Sequence, residues 1–189
     1  MTMDCVKALE ILARRRRDEV VVNTMVPSRV WPEFSTNPDL DIPFIGCMGK
    51  ASSLGLGIAL GRPDKNVWVF DGDGSLLMNL GSLVTIANAG PRNLVHFVFE
   101  NGVYEITGSQ PIPGEGKFDL VGLARSAGIS RVYEFANLAA LEDGLDQVLA
   151  GEGPVFVNLR VGQVSQIGAK PPRLMGAAAR HVRAVLAGG

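Results

Sequence analysis

Residues 66–104 read NVWVFDGDGSLLMNLGSLVTIANAGPRNLVHFVFENGVY, and this stretch decides the fold. Asn66 to Phe70 is short, apolar and β-rich, preceded by Arg62-Pro63-Asp64, which predicts a strand buried on both faces. Asp71 to Gly74 interrupts it. From Ser75 onward Leu77, Leu80, Val84 and Ala87 recur at spacings of three and four, predicting an amphipathic helix that starts just after the glycine turn. Asn88 to Arg92 ends that helix, and Asn93 to Phe99 predicts a second buried strand whose carboxyl end delivers Glu100 and Asn101. A turn of this kind leaves backbone N–H groups at the positive end of a helix, where phosphate oxygens bind, and glycine lets them approach closely.

Ligands of parallel α/β sheets bind outside the carboxyl ends of the strands. Here consecutive strands each place an oxygen-bearing side chain there: a carboxylate at Asp73 and an amide at Asn101. Magnesium takes six oxygens and draws only one or two from protein carboxylates, so one Asp, one Asn, a backbone carbonyl and a diphosphate suit it. Other readings of these glycines fail. Asp71 to Ser75 begins like an EF-hand loop, but Leu76 and Ser82 stand where that loop needs Gly and Glu. Gly55-Leu56-Gly57 begins like a dinucleotide fingerprint, but the third glycine falls at Gly61 and Leu60 takes its place.

The run GDGSLLMNLGSLVTIANAGPRNLVHFVFENGVYEITGSQP, with IGCMGKASSLGLGIALG at 45–61, resembles the diphosphate-binding half of thiamine-diphosphate-dependent 2-oxo acid decarboxylases. It is most similar to the β subunit of sulfopyruvate decarboxylases and the matching half of phosphonopyruvate decarboxylases, over roughly residues 18–162. The resemblance implies a doubly wound, mainly parallel α/β sheet with helices on both faces. It implies Mg2+ ligands at Asp73, Asn101 and the Val103 carbonyl, and diphosphate contacts at Gly74 and Ser75. Gly46 matches the position whose carbonyl accepts from the aminopyrimidine amine, and Met48 the apolar wedge that bends the cofactor. Ile106 is placed near the diphosphate arm, and Thr107 where some relatives carry a catalytic Glu. Thr24, Cys47, Gly72 and Tyr104 are counted with the cofactor-binding residues, and Gly46, Met48 and Thr107 as catalytic.

The carboxylate that activates the pyrimidine comes, in such enzymes, from a separate domain of similar size. The resemblance therefore implies a pyrimidine-binding α subunit as partner and a small anionic 2-oxo acid as substrate, with Gln110, Thr107 and Lys117 as candidates for its distal group. The other outcomes open are an acetolactate-synthase-like carboligase, a decarboxylase for another 2-oxo acid, or a noncatalytic cofactor-binding module. Two departures from the family pattern stand out. Relatives commonly have Thr-Gly before a Ser-Arg pair where this chain reads Thr24-Met25-Val26-Pro27-Ser28-Arg29, and many carry Asn or Asp where Glu100 stands.

The 189 residues, 47% hydrophobic and 20% charged, suffice for one core and predict one domain, 171–189 forming a helical tail. A formal net charge of −1 offers no field for nucleic acid or membranes. The basic run Arg14 to Arg17 closes a predicted helix, Met3 to Arg16, and reads as a solvated face or subunit contact. Cys5 and Cys47 are too few for a disulfide framework, and Cys47 reads as a small buried thiol. With no leader and no membrane-length apolar run, a cytoplasmic protein is expected. His96, inside a strand, reads as a satisfied core histidine, and His181 lies in the tail.

The remaining pattern predicts a strand at Glu19 to Thr24, an extended lead-in at Ile42 to Ile45 and a small-residue helix at Ala51 to Leu60. Thr107 to Lys117 reads as a lid loop, followed by a helix at Phe118 to Ala127 and strands at Arg131 to Phe135 and Pro154 to Val161 around a helix at Leu138 to Leu149. After Pro171-Pro172 a helix from Arg173 to Leu186 is either docked or frayed.

Overall fold

The computed structural model describes residues 2–169 and 175–188. Among them eight strands form: β1 (Val20–Asn23), β2 (Asp41–Pro43), β3 (Val67–Gly72), β4 (Leu94–Glu100), β5 (Val103–Tyr104), β6 (Gln110–Pro111), β7 (Arg131–Phe135) and β8 (Val155–Arg160). Six of them make one sheet in the order β2-β1-β3-β4-β8-β7. Every pairing within it is parallel. The central strands β3 and β4 are almost continuously apolar because helices cover both faces, as the sequence pattern implies.

Alternation along the strands sends Trp68, Phe70, Phe97 and Phe99 to one face, where α1 (Cys5–Arg15) and α7 (Leu138–Leu149) bring Leu9, Leu12, Leu141 and Leu145. Val67, Val69, Leu94 and Val98 face the other way, toward Leu56, Leu83, Ile86 and Leu120. Those four come from α3 (Ala51–Gly61), α5 (Gly81–Ala89) and α6 (Leu120–Ser126). Fully burying a side chain of this size is worth about 1.5–3 kcal/mol, so the two apolar faces dominate the stability. The small-residue helix α3 packs directly on the sheet at Gly55, where an added Cβ would lie 2.2 Å from Val69 Cγ2.

The structure corrects several local expectations. The helix after the glycine turn is two helices, α4 (Asp73–Leu77) and α5, not one from Ser75. Asn79 lies in the break and donates its side-chain amide to the Gly49 carbonyl at 2.8 Å, tying the break to the turn after Met48. The buried stripe is Leu76, Leu83 and Ile86, and Val84, expected on that stripe, is 57% exposed. Arg16 is not solvated: its guanidinium is buried, 2.8 Å from Asp41 Oδ1 and stacked on Trp31. Arg14 and Arg15 pair with Glu142 and Asp146 on α7, so the basic run locks two helices of this chain together.

Two further expectations are revised. The segment read as a lid loop contains β6, which folds back on β5 as an antiparallel hairpin. His96 is buried but not satisfied; neither ring nitrogen has a hydrogen-bond partner, the nearest acid being Asp71 Oδ2 at 3.4 Å. The C-terminal helix α8 (Met175–Ala187) is docked, with Val182 in the core, His181 2.8 Å from Asp39 and the Leu186 carbonyl accepting from Arg62. Pro171-Pro172 and the predicted helix start at Arg173 lie outside the described residues.

Candidate functional site

From β1 the chain runs outward to β2 on one side and to β3 on the other. Such reversals leave a crevice at the carboxyl ends of the strands. A cavity of about 390 Å³ opens there, floored by Gly72 from β3, Asn101 after β4 and Met25 after β1. Gly46, Met48, Asp73, Gly74, Ser75, Val103, Tyr104, Ile106 and Thr107 also line it. The structure thus brings together most residues singled out in the sequence.

Thr24 and Cys47 stand apart from that lining. Thr24 is fully buried and its hydroxyl donates to the Phe44 carbonyl at 2.7 Å, tying the exit of β1 to that of β2. Cys47 is exposed rather than buried, correcting the expectation. Of the three residues considered for the substrate's distal group, Thr107 reaches the cavity; Gln110 is spent on Thr107, donating to its carbonyl at 3.2 Å.

At the centre sits Asp73, 2% exposed. Its Oδ1 accepts from the Gly74 N–H at 2.7 Å, and its Oδ2 from the N–H groups of Asn101 and Gly102 at 3.0 and 2.7 Å. Burial nevertheless pushes its carboxyl up to about 6, against the pull of those N–H donors and with a small upward contribution from Glu100. Oδ1 keeps a lone pair to spare. Gly74 must be glycine, because a Cβ there would lie 2.6 Å from the Tyr104 ring that closes over the turn. Ser75 Oγ accepts from the Gly49 N–H at 3.0 Å, joining this turn to the one that carries Gly46 and Met48.

Asn101 projects Oδ1 to the Val103 N–H at 3.1 Å, while its Nδ2 donates to Glu105 Oε2 at 2.6 Å. Glu100 points away, accepting from Asn158 Nδ2 at 2.6 Å beside Arg160. Asp73, Asn101 and Val103 line the same cavity and offer a carboxylate, an amide oxygen and a backbone carbonyl, hard oxygen donors of the kind Mg2+ takes up, so the residues present fit that ion and a diphosphate beside it.

Among the lining residues that sequence reasoning did not single out are Cys5, Met25, Arg29 and Glu105. Burial, then the charges of Glu105 and Asp4, push the Cys5 thiol up to about 12, which keeps it protonated and unreactive. Met25 has φ +52°, the left-handed conformation that glycine adopts freely, at the position where the family resemblance implies glycine. That departure from Thr-Gly was the available signal. For Glu105 there was none, since its partners are set by the loop's path.

The fold and cavity define the diphosphate-binding class of thiamine domain. Residues 23–159 match the family described as thiamine pyrophosphate enzyme, C-terminal TPP binding domain, and the chain belongs to it. It is 41% identical over 183 residues to a phosphonopyruvate decarboxylase of Streptomyces viridochromogenes, covering 95% of this chain and 45% of that protein. It is 39% identical over 162 residues to a sulfopyruvate decarboxylase subunit beta of Methanothermobacter thermautotrophicus, covering 85% of this chain and 83% of that subunit. The fold matches benzoylformate decarboxylase from Polynucleobacter necessarius with a TM-score of 0.73 at 20% identity, over 86% of this chain and 34% of that one. The chain therefore spans less than half of the Streptomyces relative. Among the described residues no helix is long and apolar enough to cross a membrane.

Proposed function

We propose that this chain is the β-type, diphosphate-binding subunit of a cytoplasmic decarboxylase that converts a small anionic 2-oxo acid, sulfopyruvate-like, to an aldehyde and CO2. The observation that carries the reading is the convergence of Asp73, Asn101, Val103, Gly46 and Met48 on one cavity. The names of relatives matched at 39–41% identity support the substrate class. Asp73 Oδ1, Asn101 Oδ1 and the Val103 carbonyl would hold Mg2+, with Gly74 and Ser75 beside the diphosphate. Bound thiamine diphosphate supplies the electron sink that C–C cleavage needs.

The chain's own residues bind, bend and shield. Met48, half-buried in the cavity wall, would wedge the cofactor into the form that sets its amine against the reacting carbon, with the Gly46 carbonyl orienting that amine. The cavity's acids, Asp73 and Glu105, are both committed to N–H donors of this chain, Asp73 to Gly74, Asn101 and Gly102, and Glu105 to the Asn101 side chain and to Val164 just past β8. The carboxylate that activates the pyrimidine therefore comes from a separate pyrimidine-binding subunit, a reading supported by the subunit naming of the methanogen relative. Leu60 on α3, Met78 in the turn between α4 and α5 and Val84 on α5 are 55–57% exposed, apolar surface suited to that partner.

Co-expression with a candidate pyrimidine subunit, then assay of a 2-oxo acid panel for aldehyde, CO2 and acetoin-type product, tests the reading. Aldehyde with stoichiometric CO2 from an anionic acid is expected; carboligation products, or bound cofactor without turnover, would overturn it. In that complex Met48→Ala is expected to lower kcat at least about tenfold while changing cofactor affinity less than about threefold. Unchanged kcat would return Met48 to a packing role.

A further inference from the structure

The loop after β4 ends in a single helical turn, Glu105–Thr107, which folds the Glu105 side chain back beneath Asn101. Glu105 is 8% exposed, and a buried carboxylate is tolerated only where its oxygens find donors. Both do, at 2.6 Å: Oε2 accepts from Asn101 Nδ2 and Oε1 from the Val164 N–H. Val164 lies just past β8, so one carboxylate ties two separate chain segments together.

An asparagine amide can sit in two orientations related by a half-turn, and only its oxygen can bind a hard cation. A carboxylate accepts and never donates, so it faces Nδ2; the Val103 N–H donates and never accepts, so it faces Oδ1 at 3.1 Å. Together they leave one orientation. The oxygen has two lone pairs, of which the Val103 N–H takes one, and Asn101 itself lines the cavity.

We propose that Glu105 is the positioning residue of the cation site, fixing the Asn101 amide with its oxygen toward the metal and anchoring it to the chain leaving β8. The role matters only if Asn101 is the metal ligand proposed above. Glu105→Gln offers one acceptor where two are needed, so the glutamine nitrogen must face a donor. In Asn101→Asp/Glu105→Gln the polarity is exchanged: the aspartate accepts from the glutamine nitrogen, and the glutamine oxygen still takes the Val164 N–H.

The test is a Mn2+ titration of the full chain with thiamine diphosphate, followed by electron paramagnetic resonance, together with amide spectra of the cofactor-free chain. Glu105→Gln is expected to weaken Mn2+ binding by about tenfold or more, in line with other groups that orient metal ligands. The double variant is expected to recover to within about threefold of wild type, which a purely structural clip would not allow. In the cofactor-free spectra the Asn101 Nδ2 protons, identified by their loss in Asn101→Asp, should lie downfield and exchange slowly, and Glu105→Gln should move them to the range of exposed asparagines. Equal losses in the single and double variants, or an Asn101 amide that ignores Glu105→Gln, would overturn the role. A wild-type chain that takes up no Mn2+, yet whose amide responds to Glu105→Gln, would support the clamp and overturn the metal reading instead.

Discussion

Asp73→Asn is expected to weaken magnesium-dependent binding of thiamine diphosphate beyond the about 10–100-fold that loss of a merely supporting group costs. The carboxylate is the one anionic oxygen donor of the proposed set, and asparagine keeps its size. Alanine is a poorer probe, because it strands the N–H donors of Gly74, Asn101 and Gly102 together, at about 1–3 kcal/mol each, whereas asparagine keeps one acceptor oxygen and sets only its nitrogen against a donor. The same side chain sets a pH dependence. Its carboxyl is raised from the ordinary 3.8 to about 6 by burial, so the cofactor-free folded chain binds more protons than the unfolded chain between those values. Its charge therefore lowers stability at neutral pH, and that penalty is relieved as pH falls through about 6. Metal needs the deprotonated form, so Mg2+ affinity is expected to fall over the same interval. Calorimetric titrations across this range, with circular dichroism to confirm folding, check both. Cofactor affinity within threefold of wild type in Asp73→Asn would sink the metal assignment.

Arg16→Met is expected to destabilise the fold by about 3–5 kcal/mol, the cost of leaving the partner of a buried ion pair uncompensated. The Arg16 side chain is fully buried, and Asp41 opposite it is 12% exposed. Burial lowers the guanidinium's pKa and raises the carboxyl's, each opposed by the other's charge. Ser35 accepts from Arg16 at 2.7 Å and donates to Asp41 at 2.5 Å, so three side chains lock the end of α1 to the start of β2. Removing the stranded charge as well, in Arg16→Met/Asp41→Asn, should return most of the loss. Urea unfolding followed by the fluorescence of the two buried tryptophans, Trp31, 5.4 Å under the guanidinium, and Trp68, reads the effect. A cost below about 1 kcal/mol, typical of exposed pairs, would show that the site is wetter than its burial implies.

Local pattern carried the sheet and most of the site. The apolar runs around Val69 and Phe97 had to be central strands, and the Asp73 and Asn101 spacing had to bring both to the same end of the sheet. What escaped depends on contacts between distant segments. The helix breaks near Asn79 although its periodicity is sound, and the break is tied to Gly49, a partner from another turn. On its two sides the buried residues are Leu76 in α4 and Leu83 and Ile86 in α5. Arg16 sits in a basic run that locally suits a helix end, and only the approach of Asp41 makes it an interior cation. The resemblance counts Thr24 with the cofactor residues although its segment departs from the family pattern at Met25, and its hydroxyl is consumed by the Phe44 carbonyl. Glu105 was hidden for the same reason: Val164 is distant in sequence, and no spacing rule connects them.

The family match establishes the fold and the kind of cofactor; the placement of that cofactor on these residues is the central claim. It is tested most directly by a crystal structure of the chain grown with thiamine diphosphate and Mn2+, using anomalous scattering to locate the metal. One Mn2+ is expected within coordination distance, about 2.0–2.2 Å by analogy with Mg2+, of Asp73 Oδ1, Asn101 Oδ1 and the Val103 carbonyl. A metal peak away from Asp73 and Asn101, with diphosphate bound elsewhere, would contradict it.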